Sequence, residues 1–378
     1  MDFQLTKEQE LIQKAAKEYA EKSLMPIADK IAAENRVPPE VFEEIGELGF
    51  FGLPFAEEYG GTGAGYNCYP LVLEQIARAS AGVAMTFSVN LLGASAINAF
   101  GTPEQKAKYL PDCCAGKKIA SFAFTEPATG SDPKQITTTA VQDGDYYVIN
   151  GTKRFISAAD LDGPIVIFAK DNETGKPTAF IVEKNCPGYS TSEPWHKIGN
   201  LGGSLVDVYL KDVRVPASNL LGPKGNGYGV LQYGIAFGKV GVCASALGGM
   251  QAALELSIKY AKEKAHRDST IAKFPTIQVA IAKIAEKVEA ARWLSYRLGY
   301  LAENLKDPRA FAKEAALTKA FVTEAAADVA RLAVGVHGSY GLMEDYKVSM
   351  IYRDLIIGEQ IEGVNDMQRM ITAGSLLA

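Results

Sequence analysis

Cysteine is scarce in this chain and arranged for no evident task. Five cysteines, at positions 68, 113, 114, 186 and 243, are spread over 378 residues. The count is odd, no pair is spaced C-x-x-C and no histidines cluster beside them, which disfavours both a zinc site and a disulfide framework. Free thiols fit a reducing compartment, and the adjacent Cys113 and Cys114 read as packing residues. Basic blocks are missing too. The 39 lysines and arginines lie scattered among 44 acids, for a net charge of −5. A mixed, solvated surface of that kind argues against a nucleic-acid partner. No uninterrupted run of about 18 apolar residues appears, so no membrane span is expected. The opening segment MDFQLTKEQELIQKAAKEYA has acids and amides where a signal peptide needs an apolar core. It reads as an amphipathic helix of a cytoplasmic protein.

What is present is ordinary globular composition, 47% hydrophobic and 22% charged, long enough for two or three core units. Three zones differ in rhythm. Residues 1–118 read as an N-terminal helical domain. Thr6 precedes an acid-rich first turn, Phe42, Ile45 and Leu48 carry a helical stripe, and Gly60-Gly61 breaks the chain before a helix around 67–80. Residues 119–225 change period. Short β-rich runs at 146–150, 164–169, 178–182 and 205–210 are separated by turn residues such as Asp143-Gly144 and Asn150-Gly151. With no helices between them, these strands predict a small antiparallel β-barrel or sandwich. Residues 226–378 are alanine-rich. The stretches 238–264, 275–305 and 309–335 are each long enough for a helix, and a C-terminal four-helix bundle is expected, with Gly248-Gly249 a weak spot. The predicted class is α+β, mostly α.

Three runs carry candidate chemistry. Phe124-Thr-Glu-Pro-Ala-Thr-Gly-Ser-Asp132 enters the β zone, and its Gly-Ser-Asp turn can present N–H groups and a hydroxyl to an anion or a polar ring edge. By itself it is also an ordinary turn. In Asn150-Gly-Thr-Lys-Arg-Phe-Ile-Ser157, Phe155 and Ser157 are two apart and share a face on a strand, where they can line a flat heteroaromatic group. The plainer alternative is a hairpin strand with one core aromatic. In the run 352–369, Glu362 lies between Ile361 and Gly363 at a break between helical stretches. A carboxylate in apolar surroundings is a candidate general base with a raised pKa. Glu359, Glu362 and Asp366 also read as a solvated acidic face balanced by Arg353 and Arg369.

In order and spacing these runs resemble the acyl-CoA dehydrogenases. That family's TEPxxGSD, NGxKxWIT and YRDxxxxxIYEGT are here TEPATGSD, NGTKRFIS and YRDLIIGEQIEGV. Stretches 48–61, 100–111, 211–222 and 336–341 are similar to further family segments, so the resemblance covers essentially the whole chain. It implies a flavoenzyme that binds FAD and oxidises the α–β carbon bond of an acyl-CoA thioester. Glu362 would remove the α proton while hydride leaves the β carbon for the flavin. The Glu362 backbone N–H and a ribityl hydroxyl would stabilise the thioester oxygen. Some members place the base just before a basic residue early in the bundle. That position here is Gly238, which cannot act, so Glu362 is the base the pattern offers. The resemblance also implies that Phe124 and Thr125 face the flavin ring or ribityl chain and that Ser131 reaches the pyrophosphate or CoA. Phe155 and Ser157 would lie beside the isoalloxazine, and Gly338 and Ser339 would belong to the cofactor site. Lys239 takes the place of a CoA-contacting arginine, and Ile361 and Gly363 line the substrate site. No metal is implied. Electron-transfer flavoprotein is the expected acceptor, and a homotetramer built as a dimer of dimers the expected assembly.

The departures from the pattern cluster on the adenosine side of FAD. Lys264 replaces the pyrophosphate arginine and loses its bidentate fork, and Arg267, which replaces a phenylalanine, stands close enough to substitute. Gly335, Val364 and Asp366 replace a glutamine, a threonine and a glutamine or glutamate. In the family these positions help bind FAD across a dimer interface. Either the contacts are altered, or the chain shares its sites with a different subunit in a heteromer, or it is a non-catalytic subunit. Gly82, Val83 and Ala84 offer no carboxylate clamp, so a mono-acid acyl group is expected: short, branched or cyclic. Ile361 in place of a tyrosine points to a bulky or alicyclic one. An enoyl-CoA reductase working in reverse is the alternative activity.

Overall fold

The computed structural model describes residues 4–132 and 135–377. The chain opens with α1 (Lys7–Tyr19), where the Thr6 side chain and Gln9 form the reciprocal capping pair that satisfies two of the first free N–H groups. A wider turn leads into α2 (Met25–Glu34), closed by Asn35 in the left-handed region. Then come α3 (Pro39–Glu47), α4 (Tyr69–Ala79), α5 (Ala81–Phe100) and α6 (Pro103–Cys114). Asn90, buried in α5, donates to the Cys113 carbonyl at 3.0 Å and accepts from the Ala120 N–H at 2.8 Å, fastening the helices to the strand that follows. Cys113 and Cys114 are buried among Phe55, Tyr109 and Leu110, as packing residues should be.

The β zone holds β1 (Ser121–Ala123), β2 (Thr139–Asp143), β3 (Tyr146–Ser157), β4 (Pro164–Asp171), β5 (Pro177–Glu183), β6 (Tyr189–Thr191), β7 (Leu205–Pro216) and β8 (Leu220–Leu221). Their order is β6-β7-β3-β2-β4-β5-β8, with β1 beside β4. The expected β architecture is present in modified form. The sheet path stays open, and β4 runs parallel to both β1 and β2 while the other neighbours in the sheet are antiparallel. Both parallel pairs join strands that are not consecutive in the chain: β1 reaches β4 across β2 and β3, and β2 reaches β4 across β3, so neither is closed by a hairpin.

The C-terminal part consists of α7 (Gly227–Glu263), a short hairpin of β9 (Ala265–His266) and β10 (Ser269–Thr270), then α8 (Pro275–Asn304), α9 (Pro308–His337), α10 (Lys347–Ile356) and α11 (Asn365–Leu377). Three long helices form the bundle, and short α10 and α11 pack on α9 where a fourth is needed. Gly248 and Gly249 do not break α7. A Cβ on Gly248 would stand 2.3 Å from the Glu74 carbonyl, and one on Gly249 2.6 Å from Leu355, so the missing side chains are what let α4 and α10 approach. Helices α5 and α7 are each long and apolar enough to cross a membrane, which a search for uninterrupted apolar runs misses. Of their most apolar windows, 67% and 61% are buried inside the fold, as core helices demand.

Candidate active site

A cavity of 1510 Å³ opens where the β zone meets α5, α7, α9 and the segment joining α10 to α11. That segment is the least regular part of the C-terminal zone. α10 ends in a single tight turn, and α11 begins only at Asn365. Between them Glu362 has φ 52° and Gly363 φ 86°, two consecutive left-handed residues. Glycine adopts that shape freely, whereas glutamate holds it only under constraint. The Glu362 carboxylate faces α7 at Gly238, where an added Cβ would lie 3.0 Å from Oε2. Neither its carboxylate nor its backbone N–H has a hydrogen-bond partner among the described residues. The residue as a whole is half-buried, and it lines the cavity. Burial raises its pKa, and the charges of Lys239 and Lys319 pull the other way. Lys239, the next residue of α7, is itself buried and its pKa lowered by that burial. Its ammonium has no acceptor among the described residues.

The opposite wall comes from the two β-zone motifs. Phe124, Thr125, Ser131, Phe155 and Ser157 all line the cavity, with Ser131 exposed at its rim. A buried ion pair joins the two motifs. Lys153 Nζ donates to Glu126 Oε1 at 2.7 Å and to the carbonyls of Phe168 at 2.6 Å and Phe124 at 3.4 Å. Glu126 also accepts from the Thr137 N–H at 2.6 Å, the Thr137 hydroxyl at 2.7 Å and the Thr138 N–H at 3.0 Å. Burial alone would raise the Glu126 pKa, but the Lys153 charge and these donors outweigh it and hold the carboxyl at about 2. Phe155 and Ser157 reach the cavity for a different reason than simple alternation. A β-bulge interrupts β3 between Lys153 and Ile156, and Phe155 has φ 58°. Asp207 fixes the bulge by accepting from the Phe155 N–H, Arg154 Nε and Trp195 Nε1. Trp195 lies against the Phe155 ring, with centroids 5.5 Å apart.

These walls suit a flat, hydrogen-bonding ring. They offer aromatic faces at Phe124 and Phe155, hydroxyls at Thr125 and Ser157, and an unmet buried acceptor, Gln368 Oε1, on a cavity-lining residue. Ile361, Gly363 and Val364 line the cavity beside Glu362. The remaining predicted positions lie elsewhere. Lys264 closes α7, with its ammonium 4.4 Å from the centre of the Tyr340 ring. Arg267 is exposed at the tip of the β9–β10 hairpin, Gly338 and Ser339 are exposed after α9, and Asp366 is exposed in the first turn of α11, paired with Arg369. None of the five touches this cavity. Sequence reasoning passed over Glu126 and Lys153, although both stand inside quoted motifs. It also missed Lys319, whose alanine-rich surroundings gave no signal.

Three family models match in succession: the acyl-CoA dehydrogenase N-terminal domain over residues 6–117, the middle domain over 121–213 and the C-terminal domain over 225–377. A 3-(aryl)acrylate reductase of Clostridium sporogenes is 38% identical over 98% of this chain and 99% of its own length. The caffeyl-CoA reductase-Etf complex subunit CarC of Acetobacterium woodii is 37% identical over 98% of this chain and 99% of its own. The structure of butyryl-CoA dehydrogenase from Megasphaera elsdenii superimposes with a TM-score of 0.96 at 34% identity, over 100% of both chains.

Proposed function

Because the chain belongs to the acyl-CoA dehydrogenase family, we propose that Glu362 is the base that removes the α proton of its acyl-CoA substrate. The enzyme is an FAD-dependent oxidoreductase acting on the α–β bond of the thioester. One observation carries the assignment of the base: a carboxylate whose pKa burial raises, free of any partner among the described residues, faces the cavity that Thr125 and Ser157 line from the other side. Desolvation makes such a carboxylate a stronger base than one in water. Gly238 leaves it room, and the unengaged N–H of Glu362 is a ready donor to the thioester oxygen as negative charge develops there. Lys239 adds positive charge beside the same centre. Phe124, Thr125, Phe155 and Ser157 would hold the flavin ring, whose part when bound is to accept the β hydrogen with its electron pair. Lys264, Arg267, Gly338, Ser339 and Asp366 would meet the adenosine half of a cofactor bound by a second subunit.

Ile361, on the cavity wall next to the base, supports a bulky acyl group. A second direction has its own support, since two relatives are named as reductases, one of them within an Etf complex. In that direction Glu362 returns a proton to the α carbon of an enoyl-CoA, and an electron-transfer flavoprotein is the natural redox partner in either direction. A cytoplasmic location accords with the five free thiols.

The test is the protein's own colour. The purified enzyme is titrated anaerobically with saturated straight, branched, cyclic and aryl acyl-CoAs, and its reduced form with the matching enoyl-CoAs. Bleaching by one class names the substrate, and faster reoxidation by the enoyl-CoA than bleaching by the saturated thioester favours the reductase direction. Glu362→Gln should keep the colour and lose both reactions. Equal rates in that variant would remove Glu362 from the mechanism.

A further inference from the structure

Lys319, in the middle of α9, is 0% exposed, and the chemistry above makes no direct use of it. Its Nζ donates to the carbonyl of Gly363 at 2.8 Å, to Asn365 Oδ1 at 2.9 Å and to the carbonyl of Glu359 at 3.3 Å. An ammonium has three protons, and each has an acceptor here. All three acceptors belong to the short segment that brackets Glu362. Neighbouring contacts tighten the same seam. Asn365 Nδ2 donates to Thr323 Oγ1 at 3.0 Å, one turn along α9, and Gln368 Nε2 donates to the Gly363 carbonyl at 3.0 Å. The segment needs such a hold, because a glutamate and a glycine follow one another in left-handed conformations at φ 52° and 86°.

We propose that Lys319 is a positioning residue for the base: its ammonium fastens residues 359–365 to α9, fixing the left-handed turn that presents the Glu362 carboxylate to the cavity. The proposal rests on Glu362 being the base. The ammonium is also a charge. Cys243 and Lys239 face it from α7, and Glu359 and Glu362 from the segment it holds. Burial draws the Lys319 pKa down to about 8, so its charge is lost within an accessible range. A neutral amine has two protons for three acceptors and no ionic attraction for them. The hold should therefore weaken as pH rises through 8. Lys319 and Lys239 together also draw down the pKa that burial gives Glu362, so loss of either charge moves that pKa up.

The experiment uses the assembled, FAD-loaded enzyme and the thioester that bleaches it fastest. Flavin reduction is followed against pH for the wild type, K319M and N365A, with E362Q as control. K319M should bind the thioester normally and reduce its flavin about 10–100-fold more slowly. Its acid limb should move to higher pH, and the alkaline decline near 8 should disappear. Amide exchange in 359–365 should quicken. N365A removes one acceptor and keeps the charge, so its rate should fall while the acid limb stays in place, and it carries the test if K319M does not fold. A K319M rate within about twofold of wild type, or a slower rate with both limbs unmoved, overturns the proposal, as does an N365A enzyme with wild-type rate and exchange. E362Q separates the two ideas. If it reduces flavin at the wild-type rate, the base assignment fails. If it is inert while K319M behaves normally, only the role of Lys319 fails.

Discussion

At the scale of single residues, the site depends on what surrounds one carboxylate and on what is missing beside it. Burial places the Glu362 pKa above the ordinary glutamate range. Proton abstraction needs the ionised form, so the rate of flavin reduction should fall as pH drops through that raised pKa, at a higher pH than a solvated glutamate would give. Stopped-flow reduction from acid to neutral pH reads this directly. Gly238 supplies a sharper test. A Cβ there would meet the Glu362 carboxylate at 3.0 Å and its Cδ at 3.1 Å, and the neighbour that must give way is the proposed base itself. Within α7, alanine is worth about 1 kcal/mol more than glycine. Gly238→Ala should therefore melt no lower than wild type, yet reduce its flavin about 10–100-fold more slowly, since a small displacement of a reacting group is costly. A parallel loss of stability and activity would mean that the glycine serves packing rather than the base.

At the scale of elements, the proposed cofactor wall is a loop and a bulged strand tied from behind. The Lys153–Glu126 pair is fully buried and connects the loop after β1 to β3 and β4. Removing one partner strands the other charge, so Lys153→Met should cost about 3–5 kcal/mol in thermal melts, and adding Glu126→Gln should restore part of that loss. Glu126 stands at about 2 in the fold against an ordinary 4.5. The stability it contributes is complete above the ordinary value and is lost as pH falls from there toward 2, so Glu126→Gln should flatten the acid limb of the melting curve. This tie also marks how far the sequence could be read. The change from helical to strand period, the capped start at Thr6 and the break at Glu362 are local signals, and they appear in the fold where expected. The resemblance located the cavity-lining residues of the site. Alternation alone gave a wrong reason for Phe155 and Ser157, because a bulge held by Asp207, some fifty residues away in the chain, sets their direction. Lys319 was illegible for the same kind of reason. In a helix rich in alanine its charge reads as solvated, and only the packing of α7 and of the segment 359–365 against α9 encloses it.

At the scale of the whole molecule, the residues proposed to hold the cofactor do not all meet in one cavity of one chain. Lys264 and Arg267 stand at the β9–β10 hairpin and Gly338 and Ser339 after α9, all outside the cavity that holds Glu362. Beside them Leu342 is 70% exposed, an apolar surface that a second subunit would cover. If those residues complete the cofactor site of a neighbouring copy, two dead variants should rescue each other. E362Q lacks the base but keeps its hairpin, whereas a K264E/R267E double variant keeps the base and lacks the hairpin charges. In a mixed dimer, the site carrying the intact Glu362 receives the intact hairpin from its partner. Co-expressed and purified as a hybrid through two different tags, the pair should reach about half the flavin reduction of wild type, because one of the two sites in each dimer is whole. Sites built within one chain would give no rescue, since each protomer would then carry its own defect. If the wild-type chain binds no FAD until a different protein is added, the second subunit is not a copy of this one, and the substitutions at Lys264, Arg267 and Asp366 would be matched to that partner.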